Sequence, residues 1–367
     1  MVAFATICYA LGMNFELGLA TFADVTGGIS PELRMRNLLE EAELADQVGL
    51  DLFAIGEHHR ADFVVSAPAV TLAAIAARTE RIRLSSAVTV LSSDDPVRVF
   101  QEFAELDLIS GGRAEIMAGR GSFIESYPLF GYDLDDYDEL YAEKLDLLLA
   151  IRAGNPVSWS GKHRPALHDA QIYPRPVQEE LPIWVAVGGT PMSVVRAATL
   201  GLPLTLAIIG GQPARFKPLI DLYHKAWDAS GHAPEKRRVA INTHAFVGAT
   251  HHDADRAFAS PYIQKMNVIG RERGWPPAGN AQYEALTAPD GAAAVGSPEE
   301  VAEKILMEHD LFNNQRYVAQ FSVGAVDHQD VLKSIELYGT VVAPLVRGEL
   351  AKRSVRTASA EPVTVSE

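Results

Sequence analysis

A (β/α)8 barrel, a TIM barrel with loop insertions at its C-terminal face, is the fold this sequence predicts, and three observations predict it. From Phe15 onward short apolar runs alternate with longer amphipathic stretches, the signature of repeated strand–helix units around a parallel sheet. The units can be counted to eight. No GxGxxG turn follows the first run, where an open doubly wound sheet usually carries its phosphate loop. At 367 residues the chain also has a length that such barrels reach as one domain.

The units run in order. FELGLAT is the first strand, and the helix after it starts at the N-cap Ser30 with Pro31 in its first turn and stops at Gly49. LDLFAIGE is the second strand, followed by the nearly all-apolar helix APAVTLAAIAART. IRLSSAVTVL leads into PVRVFQEFAELDLIS, and RAEIMAG into YDELYAEKLDLLLAIRAG. Residues 155–181 hold Pro, His and Trp without helical period and read as an inserted loop or small hairpin. PIWVAV and TPMSVVRAATLG resume the alternation, with Thr190 as N-cap. LPLTLAII precedes a helix over 214–230, and RVAINTHAFVG is the seventh strand. After a helix near Asp253, residues 270–296 read as an excursion over the barrel mouth. SPEEVAEKILMEHDLF opens with a capping box, Ser297 answered by Glu300, before the eighth strand RYVAQFSVG and a closing helix. The expected organisation is an N-terminal extension over 1–12, a barrel over 13–347 and a flexible tail over 348–367.

Composition narrows the partners. With 48% apolar, 22% charged and 8% aromatic residues the chain reads as globular. Thirty-two basic against forty-seven acidic residues give a formal charge of −15, which opposes nucleic acid and anionic membrane surfaces and leaves a small molecule as the expected partner. No segment reads as transmembrane. Cys8 is the single cysteine, which allows no intrachain disulfide or thiolate metal cluster and fits a reducing cytoplasm.

In this fold the chemistry sits where strands end, so residues just after each apolar run are the candidates. After strand two come Glu57, His58, His59 and Arg60. If extension continues, His58 shares a side with Ala54 and Gly56, whose small side chains leave room for a planar ligand, while Glu57 and His59 take the other side. Adjacent imidazoles on opposite faces do not chelate one ion, so a metal site is disfavoured. His58 is assigned to proton handling, and His59 and Arg60 to capping the strand. After strand five, Gly188 and Gly189 with Thr190 and Ser193 read either as an anion site at a helix N-terminus or as an ordinary tight turn. After strand four, Arg120 stands between Gly119 and Gly121 and either grips a phosphate or pairs with Glu115 or Glu125. His244 follows strand seven in the same ring of positions. Together Arg120 and the strand-five turn point to a phosphorylated cofactor across the mouth, with His58 at its reactive end.

GLDLFAIGEHH, SSAVTVLSSDDPVRVFQEFAELDLISGGRAEIMAGRGSF, ESYPLFGYDLDDY, PIWVAVGGTP and VGSPEEVAEKI, in that order, resemble the luciferase-like, flavin-dependent oxidoreductases of the bacterial luciferase superfamily over 15–347. The resemblance implies a barrel that binds FMN, reduced by a partner flavin reductase, and uses it with oxygen on an organic substrate. The deazaflavin F420, which some relatives use, is the alternative cofactor, and a non-catalytic flavin binder is the alternative role. His58 falls on the family's active-site histidine, Ala87 and Val88 on a non-prolyl cis peptide beside the flavin ring, Arg120 on an arginine beside the flavin phosphate, and Gly188, Gly189 and Ser193 on the phosphate-binding turn. The resemblance also implies a homodimer through helices two and three. Two positions depart from luciferase: Gly119 stands where its α chain has a reactive cysteine, and Asp138 where it has a second phosphate-binding arginine. Light emission is therefore not implied, and flavin affinity is expected to be modest.

Overall fold

A computed structural model describes residues 15–25, 27–121 and 123–360. Eight parallel strands close on one another: β1 (Glu16–Thr21), β2 (Leu52–Ile55), β3 (Arg83–Ser86), β5 (Ala114–Gly119), β8 (Ile183–Val187), β9 (Leu204–Ala207), β10 (Val239–Val247) and β12 (Arg316–Ser322), the last pairing with the first. β4 (Thr89–Val90) adds a short second pairing to β5, and Ala87–Val88 between β3 and β4 is a cis peptide.

Helices surround the ring: α1 (Pro31–Gln47), α2 (Pro68–Ala76), α3 (Pro96–Ser110), the single turn α4 (Ser126–Phe130), α5 (Tyr137–Ala153), α6 (Pro191–Thr199), α7 (Lys217–Ala229), α8 (His251–Arg273), α9 (Asn280–Thr287), α10 (Pro298–Phe312), α11 (His328–Leu337) and α12 (Ala343–Ala360). Local chemistry sets several starts. Ser30 accepts the Leu33 amide, Asp95 the Val97 amide, and Ser297 with Glu300 forms the capping box that the sequence signals. Thr190 is the N-cap of α6, though its side chain makes no capping bond.

The period of two divides the strands' side chains. Leu17, Leu19, Phe53, Ile55, Leu84, Ile116, Ile183, Leu206, Ile241 and Tyr317 point outward into the core under the helices. Ala20, Ala54 and Val318 face inward and form a thin cluster of their own. Charge fills the barrel's lower end. Arg316, fully buried, lies 4.1 Å over the Trp184 ring and donates to Glu115 and Glu16 at 2.6 Å each, while Arg83 and Arg238 pair with the same two carboxylates. These residues sit at strand beginnings, so the bottom is plugged and the space above the small inner residues opens at the strands' C-terminal ends.

Residues 155–181 do form a hairpin, β6 (Val157–Trp159) with β7 (Leu167–Ala170). The helix near Asp253 runs 23 residues, with Pro261 tolerated inside it. The following 270–296 segment is less of an excursion than expected: it folds α9 and returns as β11 (Ala294–Gly296) to pair with β10. The polar 351–360 stretch, expected to fray, continues α12 because Val346 and Leu350 anchor that helix in the core. The expected 1–12 extension and the tail beyond residue 360 lie outside the described residues.

Candidate active site at the barrel mouth

A cavity of about 410 Å³ occupies the mouth, lined by His58, Ala87, Val88, Arg120, Gly188 and Thr190 together with Ala20, Phe22, Glu57, Met117, Tyr137, Thr205, Asn242, His244 and Gln320. Residues from strands far apart in sequence thus meet around one space. Ser193 reaches its edge through Arg120, and Gly189 belongs to the same turn.

β2 ends at Ile55, and the chain then leaves the strand, the His58 amide donating to the Val65 carbonyl at 3.0 Å. Strand alternation therefore no longer governs residues 57–59, and Glu57, expected on the opposite side, lines the same cavity as His58. The room expected beside Gly56 is filled: a Cβ there would meet Phe22 Cδ1 at 2.0 Å. Glycine at 56 serves the close approach of that ring to His58, edge-on at 4.8 Å. Phe63 at 4.2 Å and Phe123 at 4.9 Å complete an aromatic wall around the imidazole, which is 5% exposed.

Within that wall His58 Nδ1 lies 3.5 Å from Glu125 Oε1. Burial pushes the Glu125 carboxyl up, but hydrogen bonds from His58 and from backbone amides outweigh it and hold the group below the ordinary carboxylate range. On the other side of the ring, Nε2 is buried with no partner in the protein. Glu57 and His59 form a separate unit: Glu57 Oε2 accepts the Val90 amide at 2.8 Å, and Oε1 binds His59 Nε2 at 2.9 Å. That bond raises the His59 pKa above the usual imidazole value against the opposing effect of burial. Among the described residues, the acidic and imidazole groups whose ligating atoms converge are Asp136, Glu139 and His163 on the surface, not residues 57–59. Lys162 already pairs with two of those three.

Across the mouth Gly188 and Gly189 precede α6 with nothing within 4 Å of either position's would-be Cβ, and Gly189 has φ +135. An open backbone at a helix start, with a φ that L side chains rarely adopt, is suited to an anion. Arg120 neighbours it, donating to Ser193 Oγ at 3.1 Å and to Thr190 Oγ1 at 3.4 Å, with its guanidinium 4.9 Å over Tyr137. Its acidic partner is Asp138, not Glu115 or Glu125, which are engaged with Arg316 and His58.

A third wall is polar and uncharged. Thr205 Oγ1 is buried without a partner, Asn242 donates to the Val318 carbonyl and keeps its Oδ1, and Gln320 stands in register with His244. His244 Nδ1 meets the Tyr262 hydroxyl at 3.2 Å, and burial lowers the imidazole pKa to about 4. Of these residues only His244 stood among the positions that strand ends select. Thr205, Asn242 and Gln320 are polar residues inside apolar strands, and that break in LTLA, INTH and VAQF is the signal that marks inward-facing positions.

An eight-stranded parallel barrel with a plugged base and a cavity over the strand ends is the architecture of a barrel enzyme. The luciferase-like monooxygenase family model matches residues 15–314, and the chain belongs to that family. The chain is 26% identical to 4-hydroxyprotoasukamycin monooxygenase of Streptomyces nodosus subsp. asukaensis, over 88% of this chain and 90% of the relative. Its fold is similar to the oxygenating constituent of 3,6-diketocamphane monooxygenase of Pseudomonas putida in complex with FMN, at a TM-score of 0.74 and 22% identity over 90% of this chain and 98% of the other. It is also similar to the coenzyme F420 dependent tetrahydromethanopterin reductase of Methanopyrus kandleri, at a TM-score of 0.69 and 18% identity over 90% and 99%. Relatives that are monooxygenases support an oxidoreductase activity. No helix among the described residues is long and apolar enough to cross a membrane.

Proposed function

We propose that the protein is a monooxygenase that takes up reduced FMN from a separate flavin reductase and uses it with oxygen on a small, uncharged organic molecule. The observation that carries this reading is the unpartnered Nε2 of His58, a residue that lines the same cavity as the open glycine turn before α6. The residues present fit the cofactor: Gly188, Gly189, Thr190 and Ser193 offer amides and hydroxyls to its phosphate, Arg120 a cation, and Ala87 and Val88 line the same cavity as His58. When bound, reduced FMN supplies the two electrons with which dioxygen yields one oxygen atom for the substrate and one water.

His58 exchanges a proton through Nε2 while Glu125 holds Nδ1, and Phe22, Phe63 and Phe123 keep water from the imidazole. Thr205, Asn242, His244 and Gln320 hydrogen-bond a substrate carbonyl or hydroxyl without offering a charge, which favours a neutral substrate. A homodimer through α2 and α3 completes the reading, since Val70, Leu108 and Ile109 on these helices are exposed apolar side chains that a second copy would cover.

A titration of the purified protein with FMN, reduced FMN, FAD and F420 tests the reading. Saturable binding of reduced FMN supports it. Binding of F420 alone moves the protein to deazaflavin chemistry, and no binding of any of the four removes the proposal.

A further inference from the structure

The anion cradle contains an anion of its own. Arg120 already has three partners in the chain on the side of the cradle: Nη1 donates to the Asp138 carboxylate, and Nη2 to Ser193 and Thr190. These partners differ in kind. Ser193 and Thr190 carry hydroxyls, which accept from a guanidinium and can turn to donate to an entering oxyanion. The Asp138 carboxylate only accepts, so it competes with such a ligand for the same fork of N–H groups and repels it at short range.

Asp138 is free to compete. It lies in the first turn of α5, where a negative charge is stabilised by the helix's unsatisfied amides, and its side chain is 77% exposed, so it can swing away without unpacking anything. The site it guards is built for a ligand on independent grounds. His58 Nε2 and Thr205 Oγ1, on residues that line the same cavity, are buried without partners in the protein, and the backbone at Gly188 and Gly189 faces open space.

We propose that Asp138 is a displaceable internal counter-anion: it holds the Arg120 guanidinium while the cradle is empty and opposes a phosphate group entering at Gly188, Gly189 and Ser193. Phosphate is thereby bound weakly and released readily. The ligand's identity as FMN rests on the proposed function, whereas the competition rests on the ion pair. A cofactor that arrives reduced and leaves oxidised at each turnover needs such weak retention.

The test uses the full chain, wild type and Asp138→Asn, with Asp138→Ala as a second variant. Dissociation constants are measured by fluorescence quenching for FMN and riboflavin and by calorimetry for inorganic phosphate. Asp138→Asn is expected to tighten FMN and inorganic phosphate by about fivefold, the scale of one charge contact that stays largely in water, and to leave riboflavin unchanged. Weaker or unchanged FMN and phosphate affinity in both variants overturns the proposal, because Asp138 would then be aligning Arg120. Equal tightening of riboflavin and FMN overturns it as well. Tightened phosphate binding with no flavin bound by either protein leaves the proposal standing and removes the flavin reading, so the two fail separately.

Discussion

His58 shows how much of a side chain's chemistry is set by its immediate neighbours. Its two ring nitrogens meet different surroundings: Nδ1 lies 3.5 Å from Glu125 Oε1, and Nε2 is buried without a partner in the protein. Replacing His58 by Ala is expected to lower turnover by 100-fold or more, on the order of what a positioned acid–base group contributes, while flavin affinity changes little; steady-state kinetics beside a binding titration check the split. Gly56 acts at the same scale by absence. Gly56→Ala places a methyl 2.0 Å from Phe22 Cδ1, so Phe22 must leave its edge contact with His58. The expected cost is about 1–3 kcal/mol of stability, read from urea unfolding, with a loss of turnover as water reaches the imidazole.

At the scale of elements, α8 is held to the mouth by charge. Lys265, 4% exposed, pairs with Asp24 at 2.6 Å and Asp62 at 2.9 Å and lies 4.0 Å from the centre of the Phe63 ring that packs on His58. Arg60 joins in, bridging Asp62 and Glu272. Burial pushes the Asp24 carboxyl up, and Lys265 offsets only part of that. Lys265→Met removes the cation and leaves Asp24 buried without it, which is expected to cost about 3–5 kcal/mol. Hydrogen exchange over His251–Arg273 should speed up in the variant. Unchanged exchange there would mean that apolar packing, not this ion pair, holds the helix down. None of this network is visible in the sequence, because Asp24, Asp62 and Lys265 are separated by up to 241 residues, from 24 to 265.

Across the whole molecule, stability is expected to depend on pH through a group remote from the mouth. Glu308 on α10 is buried with neither oxygen bonded, and burial, only partly offset by Lys304, pushes its pKa up to about 8. Because the folded value lies above the unfolded one, this group's contribution is fully present below the unfolded carboxylate pKa of about 4.3 and is lost as pH rises through 8. Urea unfolding at pH 6 and pH 9 should show wild type losing stability over that interval. Glu308→Gln, which cannot ionise, should lose about 1–3 kcal/mol less. Equal losses in both proteins would place the pH dependence elsewhere.

What the sequence determined by itself was the repeating architecture and the ring of positions at which chemistry can occur. Apolar period, capping residues and glycine stops are local properties, so the eight strand–helix units could be counted from them, and strand ends selected His58, Arg120, Gly188 and His244 as candidates. The tertiary structure decided how those candidates are used. Whether Arg120 pairs with Glu115, Glu125 or Asp138 depends on which carboxylates other cations have already taken, and Arg316 and His58 had taken two of them. Whether Glu57 faces the cavity depends on where β2 stops, which strand pairing fixes and residue alternation does not. Electrostatic and packing partners are chosen by competition in space, and a linear pattern carries no record of the competitors.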